Sequence, residues 1–163
     1  MSAPDPTPSA RTRRGVLATG GLAHFVCDGF TDSAYVLLPL WAAAFALTHA
    51  EVGALKMTLS GTLALAQVPA GYLAERHGER RILVAGIVAA GLGFALLGTA
   101  SSYLGIMGIL VVVGIGCGTQ HPLASSIISR AYVSGRRAAL GTYNFTGDLG
   151  KGVVATAVAA SAA

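Results

Sequence analysis

The chain has 163 residues, of which 53% are hydrophobic and only 11% charged, and its mean hydropathy is +0.65. A soluble domain carries about 25% charged residues, so an ordinary solvated surface is excluded and the membrane class is expected, with the lipid bilayer as first partner. The net charge of +4 lies in short arginine-bearing segments with no interleaved aromatics, which excludes a nucleic-acid-binding face.

Residues 1–14 are rich in Pro, Ser and Thr and end in Arg11, Arg13 and Arg14, which predicts a disordered basic tail. The apolar run after Arg13-Arg14 is too long for an export signal and is read as a span. Five spans are predicted, at about 16–47, 52–74, 82–100, 104–129 and 138–163, against the ~20 residues that a bilayer requires. They are read as helices because an open strand edge cannot be satisfied in lipid. The expected fold is therefore an all-α polytopic membrane protein, with residues 15–163 forming one helix bundle.

The first span carries a polar stripe. At about 100° per residue, with His24 at zero, Asp28 falls near 40°, Thr31 near −20°, Asp32 near 80° and Tyr35 near 20°. Two carboxylates there must face protein or a water-filled cavity, and such groups take up protons readily. Asp28 and Asp32 are the candidate protonatable pair, with His24 and Tyr35 beside them. One aspartate bonded to a neighbouring helix is the structural alternative. Ser33 points the opposite way and is expected to bond its own backbone.

The central segment Gly71–Arg81 is expected to be a charged turn in water, because Arg76, Arg80 and Arg81 would each cost roughly 2.5–3.5 kcal/mol in hydrocarbon. The third span is almost free of polar side chains and is expected to face lipid. The fourth holds Gly114-Ile115-Gly116-Cys117-Gly118, whose Gly114 and Gly118 form a face for close helix contact. Gln120 and His121 follow it and are candidates to line the same cavity. In the fifth span Asn144, Asp148 and Lys151 share about a 60° arc, and Asp148 can pair with Lys151. Cys27 and Cys117 lie in apolar runs and are read as buried thiols rather than a disulfide. No spacing matches a metal site or a nucleophile–base pair, so no metal, cofactor, catalytic residue or enzyme activity is expected.

Arg11, Arg13, Arg14, Arg76, Arg80, Arg81, Arg130, Arg136 and Arg137 fall in the tail and two loops, whereas only Lys56 lies near the other face. This bias predicts a cytoplasmic N-terminus and a multi-pass protein of the cell (inner) membrane.

Gly71, Glu75, Arg76, Gly78, Arg80 and Arg81 resemble the Gly-x-x-x-Asp-Arg-x-Gly-Arg-Arg/Lys-Arg/Lys loop of the major facilitator superfamily, with Glu75 for the aspartate and Glu79 for an arginine. The resemblance implies the N-terminal part of such a transporter, five helices of a six-helix half bundle. It also implies a cytoplasmic gating loop made by those six residues. In it Glu75 would contact a helix start in a missing C-terminal half, and Gly78 would permit a tight turn. His24-Phe25-x-x-Asp28 and His121-Pro122-x-Ala124-Ser125 are similar to the fosmidomycin-resistance-like branch of drug exporters. Val111 stands where drug–proton antiporters often carry an arginine, and Lys151 follows Gly150 where they carry proline. The implied function is secondary active transport of a small organic solute, proton-coupled, by alternating access, with the chain read as truncated and inactive alone. A drug/proton antiporter and a non-transporting fragment or assembly partner are the alternatives.

Overall fold

A computed structural model describes residues 8–161. It contains five helices, α1 (Ala10–Ala44), α2 (His49–His77), α3 (Glu79–Leu97), α4 (Tyr103–Ala131) and α5 (Arg136–Ser161), with no strand among the described residues. Residues 1–7 of the expected tail and the last two residues of the fifth expected span lie outside the described residues. Helices α3 and α4 are long and apolar enough to cross a membrane by composition alone.

The helices begin and end further out than the apolar runs. Arg11, Arg13 and Arg14 belong to α1 and not to a disordered tail, because Ser9 caps the helix by accepting the Thr12 N–H at 3.1 Å. Between α1 and α2, the Leu47 N–H returns to the Ala42 carbonyl at 2.9 Å, and Ala46 takes a left-handed φ of 49°. Thr48 and Glu51 then form a reciprocal capping box at the start of α2. The backbone N–H and then the hydroxyl of Thr48 hold the Glu51 carboxyl below its usual range. The box is therefore intact at neutral pH and opens as pH falls through that depressed value.

The central charged turn is tighter than expected. α2 runs to His77 and α3 starts at Glu79, which leaves Gly78 alone outside the helices, at φ 90°. Its N–H bonds the Ala74 carbonyl at 2.8 Å, while its own carbonyl accepts from Arg81 and Ile82. Arg76 and His77 meet the negative end of the α2 dipole, and Glu79 meets the positive end of α3. Arg130 likewise lies in the last turn of α4 and not in a loop.

Helix α4 is the centre of packing. Residues two apart on a helix differ by about 200°, so alternate glycines face opposite neighbours. Gly114 and Gly118 lie against α2, where added β-carbons would stand 2.8 Å from Thr62 Cβ and 2.6 Å from the Leu63 carbonyl. Gly116 lies against α3, where a β-carbon would stand 2.5 Å from the Gly86 carbonyl. Helix α3 buries Gly86, Ala90, Gly93 and Leu97 and turns Val84, Val88, Leu92 and Leu96 outward, an apolar row with a four-residue repeat. Helix α1 packs chiefly on α5 and to a lesser extent on α4.

Two apolar clusters result. One gathers Cys27, Leu38, Leu55, Leu59, Ile106, Leu110, Val113 and Cys117. The other joins Ala124, Ile128, Ala139 and Tyr143 with Val16 and Leu17. Between them along α1 and α4 lies a polar layer.

The close approach of α5 to α1 rests on Gly147 and Gly150. A β-carbon at Gly150 would collide with the backbone of Phe25, whereas Gly152 has nothing within 4 Å. Gly150→Val is therefore expected to destabilise the bundle by about 1–3 kcal/mol, the usual range for overpacking. Gly152→Val serves as the control that leaves the thermal midpoint of helix loss in detergent nearly unchanged.

Candidate functional site

The polar layer is built from three helices. His24 and Asp28 are one turn apart on α1, and both are buried, at 4% and 6% exposure. The His24 Nε2 lies 3.2 Å from Asp28 Oδ2, within ion-pair range but without hydrogen-bond geometry. From α4, His121 brings Nε2 to 3.6 Å from Asp28 Oδ1. From α5, Lys151 places Nζ 3.3 Å from Asp28 Oδ2 and 3.2 Å from Asp148 Oδ1. One buried carboxylate thus faces two imidazoles and an ammonium.

Tyr143 of α5 completes the layer. Its ring stacks on His24 with centroids 4.2 Å apart, and its backbone carbonyl lies 2.9 Å from His24 Nδ1. A carbonyl only accepts, so Nδ1 carries a hydrogen and the tautomer is set. Nε2 is then the ring atom turned to the carboxylate. If Nε2 is unprotonated and Asp28 ionised, two lone-pair-bearing atoms face each other, and only Lys151 and His121 offset the repulsion. A proton shared between Nε2 and Asp28 removes it.

The expected site residues divide clearly. His24, Asp28, His121 and Lys151 meet, and Asp148 joins through Lys151 while staying exposed. Asp32 and Tyr35 are half-buried one and two turns beyond Asp28, and Lys56 Nζ lies 5.8 Å from the Tyr35 ring centroid. Gln120 is fully buried, with both amide atoms unpaired among the described residues. The Tyr143 hydroxyl is likewise buried and unpaired among the described residues. Asn144 is exposed and stands apart from the cluster. Ser33 bonds the Gly29 carbonyl of its own helix at 2.7 Å, as its place on the opposite face predicts.

Three contacts escaped the sequence reading. The Tyr143 ring lies one turn before Gly147, and that i, i+4 relation was the available signal. Cys27 and Cys117 place their Sγ atoms 3.0 Å apart, and the Thr31 hydroxyl contacts Cys117 Sγ at 3.5 Å. Glu79 accepts a hydrogen bond from Ser126 at 2.9 Å and ion-pairs with Arg130, which ties the start of α3 to the end of α4. No local pattern announces these last two, because each joins residues far apart in the chain.

At the other end of the layer an open groove of about 1270 Å³ runs beside Gly71, Glu75, Gly78, Arg80, Arg81 and Arg130. It holds none of the residues around Asp28. Glu75, Arg76, Gly78, Arg80 and Arg81 are exposed around this end, so the basic helix termini converge there.

An apolar helical bundle in which α3 and α4 are long and apolar enough to cross a membrane is compatible with the class of integral membrane proteins. The chain belongs to the Major Facilitator Superfamily, whose family model matches residues 20–163. It is similar to the fosmidomycin resistance protein of Escherichia coli, 28% identical over 130 residues, covering 80% of this chain and 32% of that protein. It is also similar to the uncharacterized MFS-type transporter YfnC of Bacillus subtilis, 24% identical over 136 residues, covering 83% and 33% respectively. A third relative, named "Probable 4-methylmuconolactone transporter", from Cupriavidus pinatubonensis, is 32% identical over 101 residues, covering 62% and 24%. The chain therefore spans a third or less of the length of the curated relatives it matches.

A disulfide needs sulfurs about 2.05 Å apart, so the two thiols are about one ångström of approach from bonding. A membrane-permeant oxidant such as copper–phenanthroline is expected to remove both thiols from later maleimide labelling in denaturant. Reductant should restore them, and Cys117→Ala should leave Cys27 free throughout.

Proposed function

We propose that this bundle is part of a secondary active transporter that moves a small organic solute with proton coupling by alternating access, and that it acts as a transporter and not as an enzyme. The observation that carries the reading is the setting of Asp28, a buried carboxylate facing a histidine of fixed tautomer and a lysine that has a second carboxylate to hold. A proton taken up by Asp28 leaves Lys151 paired with Asp148, so the ammonium keeps a carboxylate partner in either state of Asp28. Family membership and relatives named as transporters support the class. Two relatives carry the names of small organic compounds, which supports that solute class.

In this reading all five helices span the membrane. The basic end is cytoplasmic in the cell (inner) membrane, in keeping with the positive-inside bias. Asp28 is the main proton carrier, and Asp32 is its half-buried neighbour. His24, Tyr35, Gln120, His121, Asp148 and Lys151 form one wall of the solute path, with Asn144 an exposed member apart from them, about two turns before Lys151 on α5. The opposite wall belongs to a C-terminal half. Gly71, Glu75, Arg76, Gly78, Arg80 and Arg81 form the cytoplasmic gating loop, with Gly78 as its single joint. Drug/proton antiport is a narrower form of this reading, favoured by the similarity to the fosmidomycin resistance protein. A non-transporting assembly partner is the competing one.

In a version spanning the length of its relatives, Asp28→Asn is expected to reduce proton-driven solute movement by about a hundredfold, a loss on the order of 2.7 kcal/mol. Asp32→Asn should have the smaller effect. Undiminished flux with both aspartates neutralised would sink proton coupling and leave uniport, and no flux of any solute would favour the assembly partner. Orientation has its own test. In a background lacking Cys27 and Cys117, Arg80→Cys should react with an impermeant maleimide only when the cytoplasmic face is open to reagent.

A further inference from the structure

We infer that His24, Asp28 and His121 form a binding site for one divalent transition metal ion of the zinc, cobalt or nickel kind. The inference needs only the geometry of these residues and stands whether or not protons drive transport. The donor set is two imidazoles and a carboxylate, which suits these borderline ions. The two imidazoles approach the Asp28 carboxylate from its two oxygens, so small side-chain adjustments bring one donor from each residue onto a shared ion. His24 Nε2 lies 3.2 Å from Asp28 Oδ2, and His121 Nε2 lies 3.6 Å from Asp28 Oδ1. One ligand atom from each residue lies within 4.8 Å of the others. A tetrahedral ion with bonds of about 2.0–2.2 Å holds its ligand atoms roughly 3.3–3.6 Å apart.

The surroundings hold the donors in place. Nδ1–H of His24 is anchored on the Tyr143 carbonyl at 2.9 Å, the usual outer contact of a metal-ligating histidine. That anchor leaves Nε2 aimed into the cluster, buried and without a hydrogen-bond partner, on a side chain only 5% exposed. His121 is about one-third exposed at the side chain and gives an ion a way in.

Lys151 is the competitor for Asp28, and the structure provides for its displacement. Its Nζ already contacts Asp148 at 3.2 Å, so a metal ion on Asp28 leaves the ammonium paired. With both imidazoles neutral, Asp28 and Asp148 against Lys151 leave one net negative charge at the cluster, which favours a cation there. Three protein donors also leave one coordination position open for water or for a solute oxygen.

The test uses the 163-residue chain purified in detergent with an affinity tag free of histidine. Titration with Co²⁺ is expected to give the visible absorption of a tetrahedral cobalt site, saturating at one ion per chain and bleached by Zn²⁺. His121→Ala should weaken Co²⁺ binding about tenfold or more, and Asp148→Asn several-fold by holding Lys151 on Asp28. The double variant His49→Ala/His77→Ala removes the two exposed histidines and should bind as the parent does. Helix content by circular dichroism establishes that each variant is folded, and His121→Ala, at the partly exposed ligand, keeps the test open if His24 variants do not fold. The inference is overturned if the folded parent shows no saturable cobalt spectrum. It is equally overturned if His121→Ala binds as tightly as the parent, or if binding is lost only in the double variant. Because the readout is a spectrum and not flux, undiminished transport with Asp28 and Asp32 both neutralised would refute proton coupling while leaving the cobalt result on the parent chain untouched.

Discussion

A carboxylate at the centre of an apolar bundle must be compensated, and most of this structure can be understood from how Asp28 is compensated. Removing one partner of a buried ion pair typically costs 3–5 kcal/mol, so the helices that supply partners are held to a narrow set of placements. His24 comes from the same helix by its i+4 spacing and is nearly free of ordering cost. His121 and Lys151 come from α4 and α5 and are useful only if those helices approach α1 closely. Gly147 meets that need on the α5 side, where a β-carbon would stand 2.6 Å from the His24 ring. The missing side chain at Gly147 and the presence of the imidazole are therefore two parts of one arrangement.

The polar layer is tolerated because apolar contact closes over it on both sides. Leu55, Leu59, Ile106, Leu110 and Val113 pack beyond it in one direction, and Ala124, Ile128 and Ala139 in the other. The layer is left open on the side where His121, Lys151 and Asp148 are accessible. Low polarity on either side strengthens every interaction inside the layer and makes an unpaired group there correspondingly expensive. Gln120, fully buried with both amide atoms unpaired among the described residues, is the sharpest instance and lies in the same layer.

Much of this was legible in the sequence, for reasons that are local. The stripe of His24, Asp28, Thr31, Asp32 and Tyr35 follows from helical periodicity, and three of its five members are buried. The alternate faces of Gly114, Gly116 and Gly118, the outward row of α3 and the Asp148–Lys151 pair follow from the same rule. Helix ends were misjudged because hydropathy marks where a chain is greasy, while hydrogen bonds mark where a helix stops. Arg11 to Arg14 and Arg80 to Arg81 are charged and helical at once. Contacts between distant segments were out of reach. Nothing near Cys27 announces Cys117, ninety residues on, and nothing near Glu79 announces Arg130. The trio His24, Asp28 and His121 has no metal-site spacing in the chain, because two helices share it.

The packing of α4 has a mechanical corollary. Pressed by its glycines against α2 on one flank and α3 on the other, α4 is locked to both, while α1 is matched chiefly with α5. The bundle therefore consists of a three-helix slab and a two-helix slab with a seam between them. Asp28 with His121, and Cys27 with Cys117, are stitches across that seam. Any sliding of one slab over the other must stretch those stitches before it disturbs the glycine-packed flanks, so the chemistry at Asp28 and the relative placement of the slabs are bound to vary together.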